Sequence, residues 1–248
     1  MTALLQADNL VRRFGGLAAV GGVSLSLSRG CLHAVIGPNG AGKSTLVNLL
    51  SGELPPSEGR LHVAGQEVTG WPAWRIARAG VGRSFQRTNV LRAMTVMENV
   101  RLAAQVGATP PGRLWRRAAT EAEPQRLAAA AIERAGLGDL TARGADILSH
   151  GQLRQLEIAM VLATGPAVLL LDEPLAGMGP EEAERISVLL RALATDHAVL
   201  LIEHDMDVVF AVADQLTVMV DGRVLDEGPP AHIRASAAVR DAYLGHAA

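Results

Sequence analysis

Lysine is almost missing from this chain. Of 23 basic residues 22 are arginine, and the one lysine is Lys43. Cysteine also occurs once, so no intramolecular disulfide can form, and Cys31 reads as a small buried thiol rather than a nucleophile. No long apolar run is present. The longest uncharged stretches are Phe14–Ser28, rich in Gly and Ser, and Ile158–Leu171, broken by Gly165-Pro166. Neither offers the roughly 20 apolar residues of a membrane-spanning helix. The start, Met1–Leu10, lacks the basic and apolar blocks of a secretory signal. A cytosolic protein is expected, touching a membrane only through a partner. An excess of positive charge is missing too: the formal net charge is -2, which argues against nucleic acid as the main partner.

What is present is a large apolar fraction, 49% of 248 residues. That is ample for a core, and long for one domain without an inserted subdomain. Short β-prone runs come first: Leu4–Val11, Val23–Ser28, Leu32–Ile36 and Leu61–Ala64. A helix is expected over Lys43–Ser51, with Leu46, Leu49 and Leu50 on one face. The middle, 88–163, reads as a helical insertion, with helices over Thr95–Gln105, Glu121–Ala135 and Gly151–Thr164. Ala108–Gly112 is expected as a loop, followed by the basic-aromatic cluster Trp115-Arg116-Arg117. Strands and helices then alternate: strands at Val168–Leu171 and Val199–Ile202, helices at Pro180–Leu193 and Met206–Ala213. A hairpin is expected about Asp221-Gly222, with strands at Leu216–Val220 and Val224–Leu225. The rhythm implies an α/β fold with a mostly parallel sheet buried on both faces.

The lysine falls within Gly37-Pro38-Asn39-Gly40-Ala41-Gly42-Lys43-Ser44, which fits G-x-x-x-x-G-K-[ST] between a strand and a helix. Glycines let backbone N–H groups converge on phosphate oxygens without Cβ clashes. The following helix presents its positive end to the same anion. Lys43 would add a charge at the outer phosphates, and the Ser44 hydroxyl would ligate Mg²⁺. Thr45 completes the loop's helical end. A second element, Val168-Leu169-Leu170-Leu171-Asp172-Glu173, is a buried strand ending in two carboxylates. Alternation along a strand would aim them apart. Asp172 then suits Mg²⁺ and Glu173 the attacking water. Together these make a P-loop NTPase. A third element, Leu148-Ser149-His150-Gly151-Gln152, places Ser and Gly at a helix N-terminus and so forms a second anion site.

At this point the chain resembles the ATP-binding cassette (ABC) transporter ATPases over nearly its whole length. Their signature is LSGGQ, with His150 standing at the third position here. The resemblance implies a RecA-like core with an N-terminal antiparallel β-subdomain over 1–87 and 164–248. The inserted α-helical subdomain, 88–163, would carry the signature, within one ABC ATPase domain of 1–248. Gln86 matches the glutamine that senses Mg²⁺ and water, and His204 the switch histidine on the γ-phosphate. Phe14 takes the place of the aromatic that stacks on adenine. The aspartate frequent in the loop after Glu173 is Gly179 in this chain.

Further stretches resemble the branch that takes up hydrophobic, branched-chain amino acids: Phe14-Gly15-Gly16-Leu17, Gly82-Arg83-Ser84-Phe85-Gln86, Thr95-Val96-Met97-Glu98-Asn99-Val100, Glu203-His204-Asp205-Met206-Asp207-Val208-Val209, and Ala242-Tyr243-Leu244-Gly245. That resemblance implies ATP and Mg²⁺ as cofactors and a location on the cytoplasmic face of the membrane. The implied partners are a second cassette (a paralogue or a second copy), two membrane permease subunits and, indirectly, a solute-binding protein. Urea and short-chain amide importers share the signature variant and Ala176-Gly177-Met178, so they form the alternative. A soluble ABC ATPase is a further one, disfavoured because neither a second cassette nor a coiled-coil insertion is present.

Overall fold

The computed structural model describes residues 3–84, 89–108 and 122–244. Its contacts divide the chain into two units. The first comprises Met1–Arg83, Ala167–Pro174 and Leu190–Ala248, and the second Ser84–Pro166 with Leu175–Leu189. The segment Leu175–Leu189 thus packs with the helical insertion, whereas the sequence alone grouped it with the core.

Two sheets build the first unit. Strands β1 (Ala3–Phe14), β2 (Leu17–Ser28), β4 (Glu58–Val63) and β5 (Gln66–Glu67) form an antiparallel sheet in the order β2-β1-β4-β5. The second sheet has the order β10-β9-β3-β8-β7-β6. Its members are β3 (Cys31–Ile36), β6 (Val81–Arg83), β7 (Val168–Asp172), β8 (Ala198–Ile202), β9 (Gln215–Val220) and β10 (Arg223–Gly228). All neighbours in it are parallel except the β9–β10 hairpin. Every residue of β7 and β8 is buried, as a sheet covered on both faces requires. The hairpin turns at Asp221-Gly222, where both residues take positive φ.

Helix α1 (Lys43–Leu50) buries Leu46, Leu49 and Leu50 in a core that also holds Leu5, Val23 and Leu27 of the antiparallel sheet. Val35, Leu170, Leu200 and Met219 come from the parallel one. Each buried leucine contributes about 2 kcal/mol. Those three side chains therefore fix the orientation of α1, and with it the loop that precedes it. The first unit also holds α2 (Ala73–Arg78), α7 (Met206–Val212), α8 (Pro230–Ala235) and α9 (Ala237–Leu244). Cys31 is half-buried, and burial pushes its thiol pKa up.

The second unit contains α3 (Val96–Ala108), α4 (Ala122–Arg134), α5 (His150–Ala163) and the opening of α6 (Pro180–Ala194). A Thr95–Glu98 capping box starts α3: Glu98 accepts the Thr95 N–H at 2.8 Å, and Thr95 Oγ1 accepts the Glu98 N–H at 3.2 Å. Fully buried Asn99 ties the chain ahead of α3, accepting from Leu91 N and donating to Leu91 O and Thr95 O. The expected loop at 109–112 and the Trp115-Arg116-Arg117 cluster lie outside the described residues.

Candidate functional site

Strand β3 stops at Ile36 and α1 begins at Lys43, so the glycine-rich loop joins the two as its motif requires. Gly42 is the residue before the helix, at φ +95, and a Cβ there would strike the Ala19 carbonyl. Only glycine fits both constraints. Two other segments brace the loop. The Gly222 N–H donates to Ala41 O at 3.1 Å, and the Gly21 N–H donates to Gly222 O at 2.7 Å. The first turn of α1 has neither a side-chain cap nor an acidic residue. Its N–H groups and dipole are left to an anion from outside the chain.

Lys43 Nζ donates to Gly37 O at 2.7 Å and Pro38 O at 3.1 Å. Burial pushes its amine below the ordinary lysine range, while the carboxylates of Glu173 and Asp172 pull it back up. Ser44 is exposed and Thr45 half-buried, and Asn39 and Gly40 are exposed at the loop's tip.

Asp172 ends β7 and is buried, at 3% exposure. The Arg83 guanidinium lies 3.7 Å from its carboxylate and also donates to Asn48 Oδ1 at 2.7 Å and Ser51 Oγ at 2.9 Å. Arg83 therefore links the end of β6 to α1 beside Asp172. The sequence named it only within a longer stretch and gave it no role.

Glu173 departs from the expected geometry. It lies one residue past the end of β7 on a left-handed backbone, φ +47, so strand alternation does not set its direction. Such a φ is unfavourable for a side chain larger than Gly. The Glu173 N–H, bonded to Ile202 O at 2.9 Å, helps to hold it. The side chain reaches towards His204, whose Nδ1 lies 3.9 Å from Glu173 Oε1. A second carboxylate, Glu203, lies beneath that imidazole: Oε2 is 3.8 Å from Nδ1 and accepts the His204 N–H. Glu203 is almost fully buried, whereas the His204 side chain is 65% exposed and free to meet a ligand.

Phe14, at the end of β1, is not core. It is 46% exposed, with the Arg12 guanidinium 4.8 Å from its ring centre. Gln86 lies outside the described residues. The first unit thus gathers the glycine loop, Asp172, Glu173 and His204. The signature residues lie in the second unit.

There Ser149 is the N-cap of α5, in a complete capping box. Its Oγ accepts the Gln152 N–H at 3.3 Å, and Gln152 Oε1 accepts the Ser149 N–H at 2.9 Å. Leu148 is buried, and His150 Nε2 lies 3.1 Å from Ala176 O. Gly179 O accepts the Ala183 N–H in the first turn of α6.

Among the described residues no group of three or more His, Cys, Asp or Glu could hold a metal ion. A hydroxyl at Ser44 and a carboxylate at Asp172 do suit Mg²⁺, which keeps several waters and takes further oxygens from substrate phosphates. No described helix is long and apolar enough to cross a membrane.

Comparison with known proteins follows the same lines. The family model described as ABC transporter matches residues 20–176. A second, described as branched-chain amino acid ATP-binding cassette transporter, matches residues 223–248. The chain is 39% identical to the high-affinity branched-chain amino acid transport ATP-binding protein BraF of Pseudomonas aeruginosa, over 98% of both chains. It is 41% identical to LivG of Escherichia coli, which carries the same description, again over 98% of both. An ATP-binding cassette of an ABC transporter, solved in its ADP conformation, superposes with a TM-score of 0.87 at 31% identity, covering 99% of this chain and 100% of that one. A nucleotide-free cassette gives 0.86 at 32% identity, covering 98% and 99%.

Proposed function

The chain belongs to the ABC transporter ATP-binding proteins, ATPases coupled to transport, and from that premise we propose that it drives the import of branched-chain amino acids. The carrying observation is its likeness to BraF and LivG along nearly the whole of each chain. The match of residues 223–248 to a branched-chain-specific model supports the same reading.

In this mechanism backbone N–H groups of Gly40 to Lys43 and the Lys43 ammonium bind the β- and γ-phosphates of ATP. Lys43 exchanges its two carbonyl partners for phosphate oxygens, a charge-assisted and therefore stronger contact. Phe14 offers its exposed face to the adenine. Ser44, Asp172 and Gln86 would hold Mg²⁺, which supplies charge neutralisation at the phosphates. Glu173, whose carboxylate faces His204, orients and deprotonates the attacking water. His204 supports the γ-phosphate, and buried Glu203 holds the imidazole in place.

A second cassette, either a paralogue or another copy, supplies Ser149, His150, Gly151 and Gln152 to the far side of each ATP. Closure around two ATP molecules drives two permease subunits, and a solute-binding protein delivers the cargo. The chain works on the cytoplasmic face of the membrane.

Uptake of radiolabelled leucine, isoleucine and valine by cells lacking this chain tests the reading. Uptake should fall and return with the wild-type gene but not with Glu173→Gln. Unchanged uptake of all three, with loss of urea uptake instead, would overturn it.

A further inference from the structure

The signature donors are already engaged. The Ser149 hydroxyl donates to Glu182 Oε1 at 3.1 Å, and the Gly151 N–H reaches the same oxygen at 3.3 Å. Glu182 projects from the first turn of α6, so both partners lie within the second unit. The fit is close: a Cβ on Gly151 would stand 2.8 Å from that oxygen. The capping box uses the Ser149 and Gln152 N–H groups. The Ser149 hydroxyl and the Gly151 N–H converge on a single acceptor at this helix end. One carboxylate oxygen takes both, in the manner of a phosphate oxygen. A polar cavity of about 300 Å³ adjoins it, lined by Ser149, Gly151, Gln152, Gln155, Glu182 and Arg185. Arg185 lies three residues beyond Glu182 on the same helix face.

We propose that Glu182 is a built-in competitor for the γ-phosphate at the signature. Its carboxylate holds the Ser149 and Gly151 donors until an ATP bound to the facing cassette displaces it. The displaced side chain then turns into the cavity towards Arg185. The proposal rests on the reading of Leu148–Gln152 as the far side of a shared ATP site. Two anions cannot share two donors, so a phosphate group must evict Glu182 to bind, and the γ-phosphate of ATP on the facing cassette is the group brought within reach. ADP leaves it seated. Glu182 thereby sets how much ATP is needed for closure, and it makes closure selective for the triphosphate.

The test uses the single chain, with its phosphate loop silenced by Lys43→Ala and its amides followed by ¹⁵N NMR during titration with inorganic phosphate. Adding Glu182→Ala should make the Gly151 amide respond saturably, at a phosphate concentration at least about fivefold lower than with Glu182 present. Adding Ser149→Ala as well should cancel the response. Glu182→Gln keeps the acceptor oxygen and removes the charge. It should give an intermediate affinity, and it serves if the alanine variant does not fold. An equal Gly151 response with and without the Glu182 charge would overturn the proposal. The shared-site reading fails separately: Glu173→Gln would then stay monomeric with MgATP, alone and beside its paralogue, whatever the phosphate titration shows.

Discussion

Helices α1 and α5 both open on polar loops rich in backbone donors, yet their first turns are closed in different ways. At α1 no side chain caps the helix and no acid sits in the first turn. Its nearest charged group is Lys43, bonded to the loop's own carbonyls. At α5 Ser149 and Gln152 cap each other, and Glu182 adds an anion on top. The first end is built for binding at the expense of stability, since it keeps a half-buried ammonium beside free N–H groups. The second is stable by itself, and a ligand there must compete with the chain. Mutations at the two ends should therefore separate affinity from stability.

The largest effect is expected at Glu173, the carboxylate that faces His204. Glu173→Gln should lower ATP turnover by about 10²- to 10⁴-fold while MgATP still binds, measured as phosphate release beside calorimetric titration. Turnover within a few-fold of wild type would remove Glu173 from the chemistry. Next is Lys43→Ala, which should weaken MgATP by about 10- to 150-fold, the worth of hydrogen bonds to a charged group. Its melting temperature should not fall, because burial already opposes the charge on this amine.

A third effect concerns the strand that feeds the phosphate loop. His33 on β3 is buried against Thr217 Oγ1 at 2.8 Å, and burial lowers its pKa to about 4. The unfolded chain binds this proton more readily, so stability is complete above about pH 6.5 and falls as pH drops towards 4. The loss reaches about 3 kcal/mol. His33→Gln should flatten that part of the profile in chemical denaturation, and an unchanged slope would show that other groups set it. The smallest effect lies at the signature. Ser149→Ala should cost about 1 kcal/mol, or about 2–4 °C in melting temperature, through loss of the cap. A larger loss at Lys43 than at Ser149 would reverse the comparison between the two ends.

Much of this was legible in the residues. The glycine loop, the apolar strand ending in Asp172 and the serine cap of α5 are local, and local order dictates their form. Glu173 shows where that stops. Its identity was readable, but its direction depends on a left-handed backbone bonded to β8, a neighbour remote in sequence. Arg83 and Glu203 have the same history: each looked like filler within a motif, and each gains meaning from a carboxylate or imidazole placed by the sheet. Glu182 sits in the first turn of a helix expected from sequence, while its partners Ser149 and Gly151 come from a different helix. Strand β6 has only three residues and α2 only six, too few for periodicity to register. Phe14 went the other way, since its exposure favours a ligand-facing role over a place in the core.

The bonds from Gly21 to Gly222 and from Gly222 to Ala41 have a consequence for how the protein is made. On the ribosome, β2 and the complete glycine loop emerge early, and Gly222 is added about 200 residues after Gly21. Throughout that interval the growing chain carries the loop's full sequence without its brace. The brace is therefore among the last contacts the first unit can complete, and the loop takes its braced form only after the β9–β10 turn has left the exit tunnel.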